Sequence, residues 1–371
     1  MSSLVVFLIA MFFIMLLLVL FIMKWRKTSP SECEYKIYQL NAKFNNYEKS
    51  DTLQFPFNEV IQDYNISVAD NFKNANVIMF TDYSLYDQNF SMIPYKERCN
   101  YKIFAINGMD MLANKKVLAD KLGHTDIVPV SYQLDNNDMK KKLVDENYEG
   151  RTYILKRNVQ RQDGLLITQD LNYIVNKAWS DNYVVAQELL QDPYLVNGRK
   201  INLRVYLLIV IRNNLCDWYI YNDGFIYYSP EYFKKGDISN EVNITSGLKD
   251  RAIYKENPLT HKDLYKTMQI NDAVKLQKNM RNCFAKMYDI YRPDLVNANK
   301  GSPGLKWCLY GCDIAPNEHL DIKLIECNKG PSLDKKDDRD GALKYGMVRD
   351  AFSVVNIISD NTHPENFVKV N

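Results

Sequence analysis

The sequence predicts a mixed α/β (α+β) fold, and three observations carry that prediction. Short runs rich in β-branched and aromatic residues alternate with longer segments whose apolar spacing suits helices. Ile201 to Arg212 (INLRVYLLIVIR) is a nearly continuous apolar run of the kind found at the centre of a sheet. Trp307 to Leu333 holds two further runs, Trp307–Ile314 and His319–Glu326, separated by Ala315-Pro316-Asn317-Glu318, a polar linker suited to a hairpin.

Length and composition bound what such a fold can do. At 371 residues there is room for one large domain or several small ones. Lys and Arg number 47 against 45 Asp and Glu, a nearly neutral balance that gives no sign of a nucleic-acid partner. The seven cysteines are scattered, odd in number and without CxxC spacing, which indicates neither a zinc site nor a disulfide frame. Sequons at Asn65, Asn89 and Asn243 are what an Asn-rich chain produces by chance.

Taken in order, the chain begins with an uncharged apolar run, Leu4 to Met23, trailed by Lys24, Trp25, Arg26 and Lys27. A run of that length spans the ~30 Å hydrocarbon core, and the basic flank places the C-terminal side of the span in the cytosol. The expectation is a single-pass membrane protein whose residues 1–27 are a signal anchor and whose body faces the cytosol. Candidate strands come next at Tyr35–Leu40, Val77–Phe80 and Tyr101–Ile106, then a helix over Met111 to Leu122 that contains Lys115. Ile127–Leu134 reads as a strand, Asp138–Asn147 as a helix, and Arg151–Asn158 (RTYILKRN) as a strand carrying Lys156 near its end. Asp170–Ser180 is a helix and Tyr183–Leu190 a strand, which breaks at Gln191-Asp192-Pro193. After the central run, Leu215–Tyr221 and Phe225–Tyr228 flank Asn222-Asp223-Gly224, a hairpin-turn signal. Lys262 to Asp289 is helical, Asp334–Asp340 a charged turn and Ala342–Ile358 a C-terminal helix.

Chemistry concentrates on the last hairpin. Asp313 lies near the end of its first strand, while Glu326 and Asn328 leave the second two residues apart and so project to one face. Carboxylate and amide oxygens without His or thiolate suit Mg²⁺, which borrows further ligands from nucleotide phosphates. Taken singly, each acid reads first as a solvated surface group, and it is the constellation that favours a site. Lys156 is either a snorkelling surface lysine or a point charge for phosphate. Arg204 interrupts the central strand, and a charge there must be paired or close to a ligand. The loop from Val159 to Leu166, with Gly164 in it, is a plain turn or a phosphate cover.

These blocks together resemble the tubulin-tyrosine ligase and ligase-like family over roughly Ile106 to Val355. Lys115 in LANKKVL and Lys156 in YILKRN resemble its two phosphate-binding lysines. Gln187-Glu188-Leu189-Leu190 and the turn ending at Lys200 resemble its adenine hinge, and Lys200-Ile201-Asn202-Leu203-Arg204 its K-F-D-L-R block. Gly311, Asp313, Glu326, Asn328, Pro331 and Ser332 fit its G-x-D and E-x-N-x-x-P-S blocks. The sequence departs from the pattern at Arg157, at Arg161-Gln162-Asp163-Gly164, at Asn202 (usually Asp), at Tyr227 (often Arg) and at Asn243-Ile244-Thr245-Ser246 (usually H-L-T-N).

The resemblance implies an ATP-grasp fold, with a small N-terminal α/β domain over 28–125, a central subdomain over 126–200 and a C-terminal one over 201–371. It implies an ATP- and Mg²⁺-dependent ligase that joins an amino acid to a carboxylate, through an acyl phosphate, on an acidic protein tail such as that of tubulin. Asp313, Glu326 and Asn328 would hold the metal. Lys115, Lys156, Gly164, Gln187, Leu190, Lys200, Asn202 and Thr245 would hold ATP, and Arg204 would be catalytic. A small or membrane-associated acceptor and nucleotide binding without turnover are the rival readings.

Overall fold

The computed structural model describes residues 35–40, 54–69, 74–80, 101–158, 164–212, 214–245, 251–301, 304–358 and 364–370. The first part is a parallel α/β unit: β1 (Lys36–Leu40), α1 (Gln54–Asp63), β2 (Ser67–Val68), β3 (Val77–Phe80) and β4 (Lys102–Phe104). The helix expected over Met111 to Leu122 is two, α2 (Asp110–Ala113) and α3 (Lys115–Leu122). Asn114 divides them: its backbone is extended, and its side chain accepts the N–H groups of Lys116 and Val117, so the second helix starts afresh at Lys115.

A four-stranded antiparallel sheet comes next, from β5 (Ser131–Gln133), β6 (Tyr153–Arg157), β7 (Leu165–Thr168) and β8 (Tyr183–Glu188), in the order β5-β8-β6-β7. Two helices cover it, α4 (Asn137–Glu146) and α5 (Leu171–Asn176), capped by the side chains of Asn136 and Asp170. Tyr132, Leu143, Tyr153 and Ile174 form its core.

The rest of the chain contributes β9 (Leu195–Val196), β10 (Arg199–Arg212), β11 (Leu215–Tyr228), α6 (Asn240–Asn243), α7 (His261–Thr267), α8 (Ile270–Ala298), β12 (Leu305–Pro316), β13 (Ile322–Lys329), α9 (Asp338–Val354) and β14 (Phe367–Lys369). The large sheet runs β14-β11-β10-β12-β4-β3-β1-β2, with β13 also on β12 and β9 on β10. One face packs on α8 through Leu276, Phe284 and Met287. The other packs on α1 and α9 through Phe57 and Phe352. Burial on both faces is why β10 reads as unbroken apolar sequence. Every residue of β12 is buried, and its first three residues pair with β4 while later ones pair with β13.

Three expectations change. Leu215–Tyr228 is one strand, because Asn222-Asp223-Gly224 makes a bulge inside it: the pairing with β10 shifts between Val205, opposite Gly224, and Leu207, opposite Ile220. Asn214, at φ +65°, sits in the turn between β10 and β11. The helix expected to end at Asp289 runs to Ala298 with Pro293 inside it, held by the buried Tyr291 and Leu295, and α7 is separate from it.

The expectation of a single-pass membrane protein is corrected as well. Among the described residues no helix is long and apolar enough to cross a membrane. The run that prompted it, Leu4 to Met23, lies outside the described residues.

Candidate active site

Three neighbouring strands of the large sheet bring a row of charges together. Arg204 on β10 is the register partner of Asp313 on β12, and Asp313 is the partner of Glu326 on β13. Arg204 donates to both Asp313 oxygens, from Nε at 2.7 Å and from a terminal nitrogen at 3.0 Å. The Tyr227 ring covers its guanidinium at 4.9 Å. Gly311 makes room for this arrangement, since a Cβ there would lie 2.9 Å from Arg204 Nη1 and 2.9 Å from Pro331 Cβ. Asn328, the partner of Gly311, donates from Nδ2 to Glu326 Oε1 at 3.0 Å.

The opposite wall is the small sheet and the start of α3. Lys115 Nζ stands 3.8 Å from Glu326 Oε2. Lys156, buried on β6, donates to Gln187 Oε1 at 2.7 Å and to the Ile325 carbonyl at 3.1 Å. That carbonyl is available because β13 carries an extra residue: Asp313 faces Glu326 but Ile314 faces Leu324, leaving Ile325 unpaired on β12. The bulge therefore ties the large sheet to the small one across the cleft.

The electrostatics arise from burial and from this crowding. Burial pulls the Lys156 ammonium down to about 8, with Glu326 acting against it. Glu326 itself is under burial that would raise its carboxyl, but Lys156, Lys115 and the Asn328 amide outweigh that and hold it below the ordinary carboxylate range. Asp313 is pushed up by burial against the pull of Arg204, and Glu326 adds to the push. Two adjacent carboxylates in a desolvated row, with lysines facing them, make a site for a cation beside a polyanion. The expected metal set is two carboxylates and an amide; among the described residues no three His, Cys, Asp or Glu side chains are grouped to hold a metal.

The remaining expected residues are placed less tightly. The cleft lining includes Lys115, Ser131, Lys156, Gln187, Ile325 and Glu326. Lys200 is buried at one side, where Nζ donates to the Leu190 carbonyl at 3.3 Å and burial brings it down to about 8 against Asp192. Asn202 is half-buried on β10 opposite Tyr227. Gly164, at φ +84°, leads into β7 with Arg157 packed against it, and Thr245 lies just after α6; neither is part of that lining. Sequence reasoning missed Ser131, the Ile325 carbonyl and Asn158, whose Oδ1 accepts from the Lys115 backbone at 3.4 Å. No local signal marks them, because each acquires its role only through a partner on another strand or helix.

The family model described as "Tubulin-tyrosine ligase family" matches residues 65–364. Similar proteins include a probable tubulin polyglutamylase TTLL9 of Rattus norvegicus, 32% identical over 48% of this chain and 39% of its own length. A probable beta-tubulin polyglutamylase of Tetrahymena thermophila is 26% identical over 75% of this chain and 26% of its own length. Tubulin glycylase 3B of Drosophila melanogaster is 24% identical over 55% and 29% respectively. The chain spans about two fifths of the length of the first of these relatives.

Proposed function

Because this chain belongs to the tubulin-tyrosine ligase family, we propose that it is an ATP-dependent ligase that joins an amino acid to a carboxylate on an acidic protein tail. The names of the relatives, polyglutamylases and a glycylase of tubulin, support tubulin as the acceptor and glutamate or glycine as candidates for transfer. A mixed α/β body with two sheets facing one cleft fits the ATP-grasp-like fold of the family.

The observation that carries the reading is the row Arg204–Asp313–Glu326 set against Lys115 and Lys156 on the opposing wall. Transfer of a phosphoryl group requires positioning and charge neutralisation more than a nucleophilic side chain, and this set supplies both. The donor chemistry of Asp313, Glu326 and Asn328, hard oxygens at paired strand positions, fits Mg²⁺, and these residues would hold it. When bound, that ion would neutralise charge on the triphosphate.

Lys115 and Lys156 hold phosphate oxygens as point charges, and the buried edge near Lys200 and Leu190 receives the base. Arg204, its fork fixed by Asp313 and its face covered by Tyr227, presents cationic charge to the carboxylate or the acyl phosphate formed from it. The acceptor carboxylate attacks the γ-phosphorus and ADP leaves; the neutral amine of the incoming amino acid then displaces phosphate to form the amide, its proton passing to the departing phosphate or to water. Arg204 stays a cation, and Lys156, brought down to about 8 by burial, acts in its protonated form; neither is assigned a proton transfer.

The test is incubation of the full chain with ATP, Mg²⁺, single amino acids and acidic peptides, with ADP and peptide mass as the readouts. ADP with a peptide mass gain that disappears in Glu326→Gln is the expected result. ADP without mass gain points to a small acceptor, and ATP binding without ADP removes the ligase reading.

A further inference from the structure

Beside the cleft, a buried polar chain crosses the small sheet whose direction is dictated by chemistry. Ser131 on β5 and Gln187 on β8 are register partners, and Gln187 lies two residues beyond Val185, the partner of Lys156 on β6. The three side chains therefore share one face of the sheet. Ser131, Gln187 and Lys156 are exposed by only 1%, 3% and 4%. Ser131 Oγ donates to the Pro129 carbonyl at 2.7 Å, Gln187 Nε2 donates to Ser131 Oγ at 3.0 Å, and Lys156 Nζ donates to Gln187 Oε1 at 2.7 Å.

Each link permits one polarity. A carbonyl only accepts, so the single Ser131 hydrogen goes to Pro129, and Ser131 faces Gln187 as an acceptor. An ammonium only donates, so the amide must show Lys156 its oxygen. We propose that Ser131 is a positioning residue for nucleotide binding: it fixes the Gln187 amide so that its oxygen, with the Ile325 carbonyl, aims the Lys156 ammonium at the phosphate chain. Two of the three ammonium hydrogens are then spent on Gln187 and Ile325, and the third points to the ligand. This inference rests on the ATP-binding reading above and assigns a role to a residue outside the expected nucleotide contacts.

Ser131→Ala leaves the Gln187 NH₂ buried without its acceptor, and an amide turned over to relieve this would set donor against donor at Lys156. Loss of one such buried partner corresponds to about tenfold weaker ATP binding. The experiment measures ATP dissociation constants by calorimetry with Mg²⁺ on the full chain. Ser131→Ala should weaken binding, Ser131→Thr should restore it, and Ser131→Ala should add nothing in a Gln187→Leu background. The inference is overturned if Ser131→Ala binds as the unaltered protein does, if Thr fails to rescue, or if the two losses add. A second readout needs no nucleotide: hydrogen exchange of the Gln187 side-chain amide in ¹⁵N-glutamine-labelled protein, slow in the unaltered chain and in Ser131→Thr, fast in Ser131→Ala. An unaltered chain that binds no ATP removes the functional reading, and the amide signal then still decides whether Ser131 holds Gln187: slow exchange that Ser131→Ala abolishes keeps that part, and exchange indifferent to Ser131 overturns it.

Discussion

At the scale of single residues, the two buried lysines make a prediction about pH. Burial holds Lys156 and Lys200 near 8. Below that value both are cations and Lys156 attracts phosphate; as pH rises through it they become neutral and that attraction is lost. ATP affinity measured by calorimetry should be level on the acid side and fall through about pH 8, and a level profile well past it would remove the phosphate role from Lys156. Stability moves the other way. A lysine at 10.5 when unfolded and about 8 when folded penalises the folded state while protonated, and that penalty relaxes as pH climbs from the lower value to the higher. Gly311 gives a second test. A methyl there meets Arg204 Nη1 and Pro331, and overpacking of this kind costs about 1–3 kcal/mol. Gly311→Ala should lower the urea midpoint and cut the proposed ligase turnover together, because the Arg204 guanidinium must shift to make room.

At the scale of elements, α3 depends on Asn114. Its side chain caps two amide groups of the helix whose first residue is Lys115. Asn114→Ala should cost about 1 kcal/mol in urea unfolding and weaken ATP binding by misplacing Lys115. This cap also illustrates what the sequence discloses. The central strand and the last hairpin were readable because apolar runs and a polar linker are local signals, and the alternation of side chains put Glu326 and Asn328 on one face. Asn114 was hidden because the apolar spacing continues across it. Asn222-Asp223-Gly224 carries a strong turn signal, yet Gly224 serves a tertiary need: a Cβ there would collide with the Arg204 carbonyl and come within 2.6 Å of the His261 ring. The bulge at Ile325 has no sequence mark, since only the pairing with β12 shows that a residue is in excess.

At the scale of the whole molecule, β12 is the member on which everything else is hung. Trp307 on it packs against Phe104 at 4.4 Å, Phe352 at 5.9 Å and Phe57 at 6.5 Å, so one indole joins β4, α9 and α1. Trp307→Ala should cost about 3–5 kcal/mol, read as a lower urea midpoint with one cooperative transition. Lys102 adds a polar tie, donating from β4 to the Val355 and Asn356 carbonyls at the end of α9. The shared strand also bears on how the chain can be shortened. Deleting everything before Asn107 would strip β4 from Leu305–Trp307, which would keep β10 on one edge and leave the other edge unpaired and open to water. Such margins recruit strands from other molecules, so the shortened product should elute as aggregates in size-exclusion chromatography, and the fold cannot be cut down at that point.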